Sequence, residues 1–387
     1  MHMTPSSIFL DEDLIAVREQ TLRFIDDFVR PAGDEWEKAG MVPREVLQKM
    51  GAIGFFGLRV PEQLGGVGYG PLTSAVFAEA LGSSTFSGFA ATVLVHTDMA
   101  SPHLLHAGTE EQIARYLPRI LTGEIITAIA VTEADAGSDV AGMRSSAKRD
   151  GDGWRLNGSK MFITNGVHGN LIFVAARTNP QASGHQGITM FILEPGIDGF
   201  SVGRKLDKHG WRSSDTAELI FDDVWVPAEN ILGEVDKGFY AIMENFQNER
   251  LVLAALAVGE AQEALDLTYR HTQNRQAFGA TLFDKQTIRH RLAMLQGRVD
   301  ALRTFAYDTA WRFEQGQEVV KQVSELKALA GELVNDVMYT CQQFHGGMGY
   351  MTESPIERMY RDARIGSIGG GATEIMLEEV AKRSYRQ

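Results

Sequence analysis

The stretch Ile288–Phe344, IRHRLAMLQGRVDALRTFAYDTAWRFEQGQEVVKQVSELKALAGELVNDVMYTCQQF, decides the architecture of one end of the chain. In it Ile288, Leu292, Leu295, Val299, Leu302, Ala306, Thr309 and Phe313 step alternately by four and three. After Gly316 the same period resumes through Val319, Val323, Leu326, Leu329, Leu333, Val337 and Phe344. A helix turns once every ~3.6 residues, so each set forms an apolar stripe along one face. Two long helices joined by the short turn around Gly316 must pack antiparallel, which predicts a bundle. Leu251 to Tyr269 supplies a third helix of the same kind.

Working towards the N-terminus, the texture changes at about Gly238. Between Ile125 and that point the chain reads as strands. Leu171–Ala176 is a continuous apolar run of the kind buried on both faces, and Ile188–Leu193 and Ala217–Phe221 are further strands. Asn157-Gly158, between Trp154-Arg155-Leu156 and Met161–Thr164, is a two-residue hairpin signal. Before Ile125 the period is helical again. Leu14, Ile15, Leu22, Ile25, Phe28 and Val29 form a helix stopped by Pro31, and another follows Pro43. Apolar helices are predicted over 71–82 and 86–106, and a shorter one opens near Thr109. The fold class is therefore α+β multidomain: a helical domain over 1–124, a β domain over 125–238 and a helical bundle over 239–387.

A chain of 387 residues exceeds what one core usually holds. Its 37 Lys+Arg against 50 Asp+Glu give a net charge of −13, which argues against nucleic acid or an anionic membrane surface as the main partner. A hydrophobic fraction of 44% excludes wholesale disorder. The single cysteine, Cys341, excludes an internal disulfide framework and a Cys-cluster zinc site. No run reaches the ~20 apolar residues of a membrane span, so no membrane insertion is expected. Asp11-Glu12-Asp13 near the start is the opposite of a basic signal or transit peptide. A reducing compartment follows, the cytoplasm of a bacterium or the mitochondrial matrix for a processed eukaryotic chain.

Neither glycine pair, Gly66-Val67-Gly68 or Gly347-Met348-Gly349, continues with the dinucleotide spacing, and there is no P-loop and no zinc-protease signature. Gly199-Phe200-Ser201-Val202-Gly203 has the spacing of a hydrolase nucleophile, but that elbow needs a helix straight after the serine. Arg204-Lys205-Leu206 continues β structure instead. Three loops carry more. Ala130–Asp139 (AVTEADAGSD) ends a strand in hydroxyls, acids and small residues, which suits either a polar ligand or an ordinary strand-capping turn. Gln342–Tyr350 (QQFHGGMGY) closes the long C-terminal helix with glycines that cap it or let a flat ligand reach the backbone. Ser367–Glu374 (SIGGGATE) places three glycines before an apolar-periodic segment, as a linker or as a ligand loop.

Taken in order along the chain, these motifs resemble the acyl-CoA dehydrogenase flavoproteins. The resemblance runs through Gly57-Leu58…Pro61-Glu62…Gly65-Gly66, Val131–Asp139, Asn157–Gly166, Arg275-Gln276-Ala277-Phe278-Gly279…Gln286 and Gln343…Asp362. It implies an N-terminal helical domain, a middle β-barrel-like domain and a C-terminal four-helix bundle, with FAD as cofactor in a homotetramer built as a dimer of dimers. It further implies Ile129, Val131 and Thr132 against the flavin ring, Ser138 bonded to the flavin or the substrate's pantetheine arm, and Phe162 and Thr164 over N5. Arg275, Phe278 and Gln286 of a neighbouring subunit would meet the pyrophosphate and adenosine end, with Gln343 and Gly347 also from across that interface. Glu374 would lie near adenine, where Ala372 replaces a residue that usually carries a hydroxyl.

The reaction so implied removes the α-proton and β-hydride of an acyl-CoA thioester, the flavin taking the hydride and an electron-transferring flavoprotein reoxidising it. A weak carbon acid needs a carboxylate in a site drained of water. Many members place that glutamate where this chain has Gly370, and glycine takes no proton. The long-chain and isovaleryl-type members instead carry it before an Arg-Leu pair on a bundle helix, which here is Glu249-Arg250-Leu251. Glu249 is thus the expected base, Arg250 the residue that orders the glycine loop, and the Gly370 N–H a donor to the enolate-like oxygen. Glu133 belongs to the scaffold of its loop, and His96, His103 and His106, near the pocket floor, are expected to be structural or exposed. Leu94 and Met99 are expected on the floor of the acyl pocket. Gly369, Gly370 and Gly371 strip side chains from one wall, which favours a long or branched acyl chain. Three alternatives stand beside this reading: a related flavin oxidase or monooxygenase reacting with oxygen, a serine hydrolase using Ser201, and a helical scaffold without cofactor.

Overall fold

A computed structural model describes residues 7–182 and 184–385. The first helices are α1 (Glu12–Phe24), α2 (Gly33–Ala39) and α3 (Arg44–Ile53). Asp11 caps α1 through its carboxylate, and Gly54 in the left-handed region (φ 96°) ends α3. Pro31 does not cut α1 short directly: the helix first widens into a π-turn over Ile25–Val29. α4 (Pro71–Gly82) is buried on nearly every side, so it forms the middle of this region rather than its surface.

The helix expected over 86–106 is three pieces. α5 (Ser87–Leu94) passes through a π-helical segment, Val95–Ala100, into α6 (Ser101–Ala107). Pro102 lies in the first turn of α6, where a missing N–H does no harm. α7 (Glu110–Leu121) opens with the capping box that Thr109 and Gln112 form reciprocally.

The middle sheet contains β1 (Thr127–Ala130), β2 (Ser146–Asp150), β3 (Gly153–Thr164), β4 (Leu171–Arg177), β5 (Ile188–Leu193), β6 (Phe200–Lys205), β7 (Thr216–Pro227) and β8 (Ile231–Leu232). Its order is β6-β7-β3-β2-β4-β5-β8, with β1 running parallel to β4. The end strands do not pair, so the sheet curls without closing into a barrel. As expected, Leu171–Ala176 is buried on both faces. Leu171, Phe173 and Ala175 pack into the large helical core, while Ile172, Val174 and Ala176 pack against Leu156, Leu219 and Val224 of the same sheet.

One expectation fails here. Asn157-Gly158 is no hairpin turn but lies within β3, opposite a bulge in β7 where the register shifts between Leu156 and Gly158. Gly158 has φ 137°, and a β-carbon on it would collide with Ser145. The real hairpin is two residues long, Gly151-Asp152, between the paired Asp150 and Gly153. Only its first central residue has positive φ (Gly151, 62°), the pattern of a type II′ turn. Both dipeptides offer a residue that tolerates positive φ, but cross-strand pairing on either side of 157–158 keeps the strand going.

α8 (Gly238–Asn274) is 37 residues long. A two-residue hairpin, β9 (Gln276–Ala277) and β10 (Ala280–Thr281), joins it to α9 (Gln286–Glu314). α10 (Val320–His345) returns antiparallel after Gly316 (φ 73°), as the stripe required, and α11 (Pro355–Ala363) and α12 (Thr373–Tyr385) complete the chain. α10 packs on α8, α9 and α12, while α4 packs on α8 and α9 and joins the two helical regions. Among the described residues no helix is long and apolar enough to cross a membrane.

Candidate active site

Glu249 lies about a third of the way along α8, on the side that meets the π-helical segment. Asn245, one turn earlier, donates from Nδ2 to Glu249 Oε1 at 3.0 Å and to the carbonyls of Met99 at 3.0 Å and Asp98 at 3.2 Å. Asn248 adds bonds to the Asp98 carbonyl (3.1 Å) and to its carboxylate (3.2 Å). A π-turn leaves carbonyls misaligned with the ordinary helical ladder, and here two asparagines of α8 take them. Burial of the Glu249 carboxyl pushes its pKa up to about 8, against the opposing pull of the Asn245 amide and the Arg250 charge.

The glycine loop lies against the same stretch of α8. Gly370 has φ 63°, and a β-carbon there would run into Leu253. A side chain at position 370 would strain the backbone and push the tip of Leu253 aside. Gly371 (φ 110°) brings the loop to Arg250, whose Nε is 3.5 Å from where its β-carbon would be. Lys327 Nζ donates to the carbonyls of Gly366 (2.7 Å) and Gly371 (3.2 Å), tying both ends of the loop to α10. Burial lowers the Lys327 pKa to about 8, helped by the Arg250 charge.

In the middle sheet, β1 delivers Ile129 and then Val131 and Thr132 to the loop that ends at Asp139. Lys160, wholly buried, donates to the Val131 carbonyl (2.9 Å) and to Glu133 Oε1 (2.8 Å). Glu133 also accepts the N–H groups of Arg144 and Ser145, so it holds the loop's base, as expected of a scaffold acid. Ser138 is exposed on the loop's outer side. A bulge in β3, between Lys160 and Ile163, leaves Phe162 at φ 63° with 64% of its surface exposed. The Met161 N–H reaches the Thr132 carbonyl at 2.9 Å, so the bulge and the loop are one unit, and Thr164 lies half-buried beyond them.

The β9–β10 hairpin turns on Phe278 and Gly279, both at positive φ (54° and 75°), as a type I′ turn requires. A bulky residue is strained there by about 1 kcal/mol or more. Phe278 nevertheless projects almost fully into solvent, 99% exposed. Arg275, Gln286, Gln343, Gly347 and Glu374 are all exposed too. Gly346 and Gly347 have nothing within 4 Å of a would-be β-carbon. Close by, His271 and His345 stack at 4.3 Å.

Of the floor residues, Met99 is bound through its carbonyl to Asn245, beside Glu249, whereas Leu94 is fully enclosed in α5. His96 is buried, bonded to Thr127 and Ile120, and its pKa falls to about 4, as does that of His103. Both are neutral core residues. Ser201 sits on the exposed edge strand β6 with no helix after it, so the hydrolase elbow is absent. Sequence reasoning missed Asn245, Asn248 and Lys327. The four-residue spacing of Asn245 and Glu249 was the available signal, since such pairs share a helix face. Nothing in the sequence marks Lys327, whose partners lie 39 and 44 residues away.

Three family descriptions cover nearly the whole chain: acyl-CoA dehydrogenase N-terminal domain over 11–124, middle domain over 128–224 and C-terminal domain over 236–385. The long-chain specific acyl-CoA dehydrogenase of mouse mitochondria is 43% identical over 95% of this chain and 85% of its own. The isovaleryl-CoA dehydrogenase of Solanum tuberosum mitochondria is 34% identical over 99% of this chain and 93% of its own. The crystal structure of an acyl-CoA dehydrogenase from Geobacillus kaustophilus superposes with a TM-score of 0.94 at 39% identity, covering 98% of this chain and 100% of that one. With its domains matched in order and its glutamate on α8 beside a glycine loop, this chain belongs to the acyl-CoA dehydrogenase family.

Proposed function

We propose that the protein is an FAD-dependent acyl-CoA dehydrogenase converting a long-chain or branched acyl-CoA to its trans-2-enoyl thioester, with Glu249 as the base and an electron-transferring flavoprotein as oxidant. The observation that carries the assignment of the base is that the glycine loop, with no carboxyl at 370, lies against the stretch of α8 that bears the half-buried Glu249. The Glu249 carboxyl takes the α-proton. Its raised pKa makes it a stronger base than an exposed glutamate, and Asn245 holds it in one orientation. The Gly370 N–H is the donor to the developing oxyanion, in a loop that Lys327 and Arg250 keep in place.

The residues present suit FAD. Its ring would meet Ile129, Val131, Thr132, Phe162 and Thr164, with Ser138 shared between flavin and pantetheine. Arg275 has no ion-pair partner among the described residues, and a free guanidinium matches a pyrophosphate bidentately. Phe278, Gln286, Gln343, Gly347 and Glu374 complete that end, contributed to a neighbouring subunit in a homotetramer. When bound, FAD supplies the acceptor for the β-hydride. The reading places the enzyme in β-oxidation of fatty acids, in bacterial cytoplasm or a mitochondrial matrix, with domains at 1–124, 125–238 and 239–387.

Anaerobic titration with acyl-CoAs of varied length and branching tests this. Bleaching of the flavin by long or branched chains, lost in Glu249→Gln, is expected. Full bleaching in Glu249→Gln would overturn the assignment of the base, and a protein that takes up no FAD would overturn the whole reading.

A further inference from the structure

The π-helical segment Val95–Ala100 is held from two sides. On one lies β1, the strand that leads into Ile129, Val131 and Thr132, and on the other lies α8 with Glu249. His96 makes the link to β1. Its Nδ1 lies 3.1 Å from the Thr127 nitrogen, and a backbone N–H can only donate. The ring proton therefore sits on Nε2, which donates to the Ile120 carbonyl at 3.2 Å. The ring is wholly buried, with both nitrogens used and Phe56 edge-on at 4.5 Å. The His96 carbonyl accepts the hydroxyls of Ser101 and Thr127, and also the Ser101 N–H, the five-residue bond that makes this turn π-helical.

Two and three residues after His96, the carbonyls of Asp98 and Met99 receive the Asn245 amide, whose nitrogen also donates to Glu249 Oε1. Carbonyls only accept, so they decide which end of that amide faces the base. Pro102 has no N–H to offer the Asp98 carbonyl four residues back, which leaves it for α8. A run of hydrogen bonds, bridged by a few residues of π-helical backbone, thus joins Thr127 on β1 to the carboxyl on α8. A buried side chain with every polar atom satisfied favours one arrangement of its neighbours. An apolar ring could fill the same space against Phe56, but could not register the segment against β1. The charges that act here, Arg250 on Glu249 and Arg44 on His96, lie outside the run.

Resting on the dehydrogenase reading above, we propose that His96 is a positioning residue for the reaction: through the π-segment and Asn245 it sets the Glu249 carboxyl against the strand that leads to the flavin contacts. It exchanges no proton itself, and its bond to Thr127 is the part that matters. A misplacement of about 1 Å between reacting groups can cost on the order of a hundredfold in rate, so this registration is worth a buried histidine.

The test uses the FAD-loaded enzyme, with dodecanoyl-CoA and isovaleryl-CoA as anaerobic probes and the bleaching rate per bound flavin as one readout. The second readout, without substrate, is the pH midpoint of the Glu249 carboxyl, followed by the infrared band that Glu249→Gln removes. His96→Phe keeps a ring and loses both bonds, while Asn165, which donates to the Thr92 and Thr127 carbonyls (3.1 Å each), still holds α5 to β1. It should slow bleaching about tenfold at saturating probe. It should also raise the midpoint by about half a unit, because the Asn245 amide meets the carboxylate less well. His96→Asn can still accept the Thr127 N–H and should behave as wild type. His96→Gln reaches only Ile120 and should behave as His96→Phe. In an Asn245→Ala background, His96→Phe should change little. Equal behaviour of the Asn and Gln variants, a wild-type rate and midpoint in folded His96→Phe, or additivity with Asn245→Ala overturns the proposal and leaves Glu249 as the base. Loss of folding in all three His96 variants, seen by thermal unfolding, makes His96 a core support and overturns it as well. Wild-type bleaching in Glu249→Gln, or none by any acyl-CoA in wild type, overturns the dehydrogenase reading and this proposal with it.

Discussion

At the scale of single residues, Glu249 and Asn245 act as a pair. Loss of the general base should lower kcat/KM of Glu249→Gln by about a thousandfold, with substrate binding much less affected, as single-turnover bleaching rates will show. The base works only as a carboxylate, and its pKa is about 8, so kcat/KM should rise with pH through that region rather than level off near 5. Asn245 stabilises the charged form, since its amide donates to it. Asn245→Leu should therefore move the midpoint of the pH profile upward. The same change strands the Met99 carbonyl, at a cost of about 1–3 kcal/mol of stability, while Asn248 still holds that of Asp98. A pH profile identical to wild type, in a folded variant, would show that Asn245 is only a structural clamp.

Elements show how local rules yield to pairing and how strain collects at the site. The bulge of β3 between Lys160 and Ile163 and the β9–β10 turn leave Phe162 and Phe278 at positive φ, a conformation that a bulky side chain adopts only when its surroundings impose it. Both rings point outward, so the strain has no return inside the chain as described. Phe278→Gly removes the strained side chain and should stabilise the subunit slightly. It should also weaken FAD retention, measured as flavin absorbance per protein after gel filtration. Retention equal to wild type would mean that the exposed ring serves something else. The glycine loop is the counterpart: at Gly370 the φ of 63° favours glycine, and a β-carbon would have to push the tip of Leu253 aside. Gly370→Ala should displace the loop and slow bleaching even though Glu249 is untouched.

For the whole molecule, charge and burial set the pH response. Glu249 and Glu260 have folded pKa values near 8 against an ordinary 4.5. A raised carboxyl pKa means that the folded state holds its protons more tightly, so this contribution to stability is full below about 4.5 and is lost as pH rises towards 8. Lys208 and Lys327, held down to about 8 by burial, act in the window above that and do not interfere. Thermal unfolding of Glu260→Gln should match wild type near pH 4.5 and exceed it near pH 8, and parallel curves would refute the shift. The net charge of −13 sets a field that repels a phosphate-rich ligand, so the proposed FAD site relies on local cations, Arg275 in this reading.

The sequence by itself determined the succession of helices, sheet and bundle, because apolar periodicity over long segments leaves little choice of partner. It also determined the flavoprotein resemblance and, through glycine at 370, the turn to Glu249. It misread 157–158, where a dipeptide suited to a turn is overruled by strand pairing on both sides. It ran the helix over 86–106 straight through its π-segment, since that stretch is buried almost all round and has no apolar stripe whose phase could shift. Only the tertiary structure decided what surrounds the carboxyl. Asn245 and Lys327 act through backbone carbonyls distant in the chain, and a carbonyl has no signature in sequence. The small cavity beside Glu260 exists because α8, α10 and the glycine loop meet there, a conjunction that no single segment encodes.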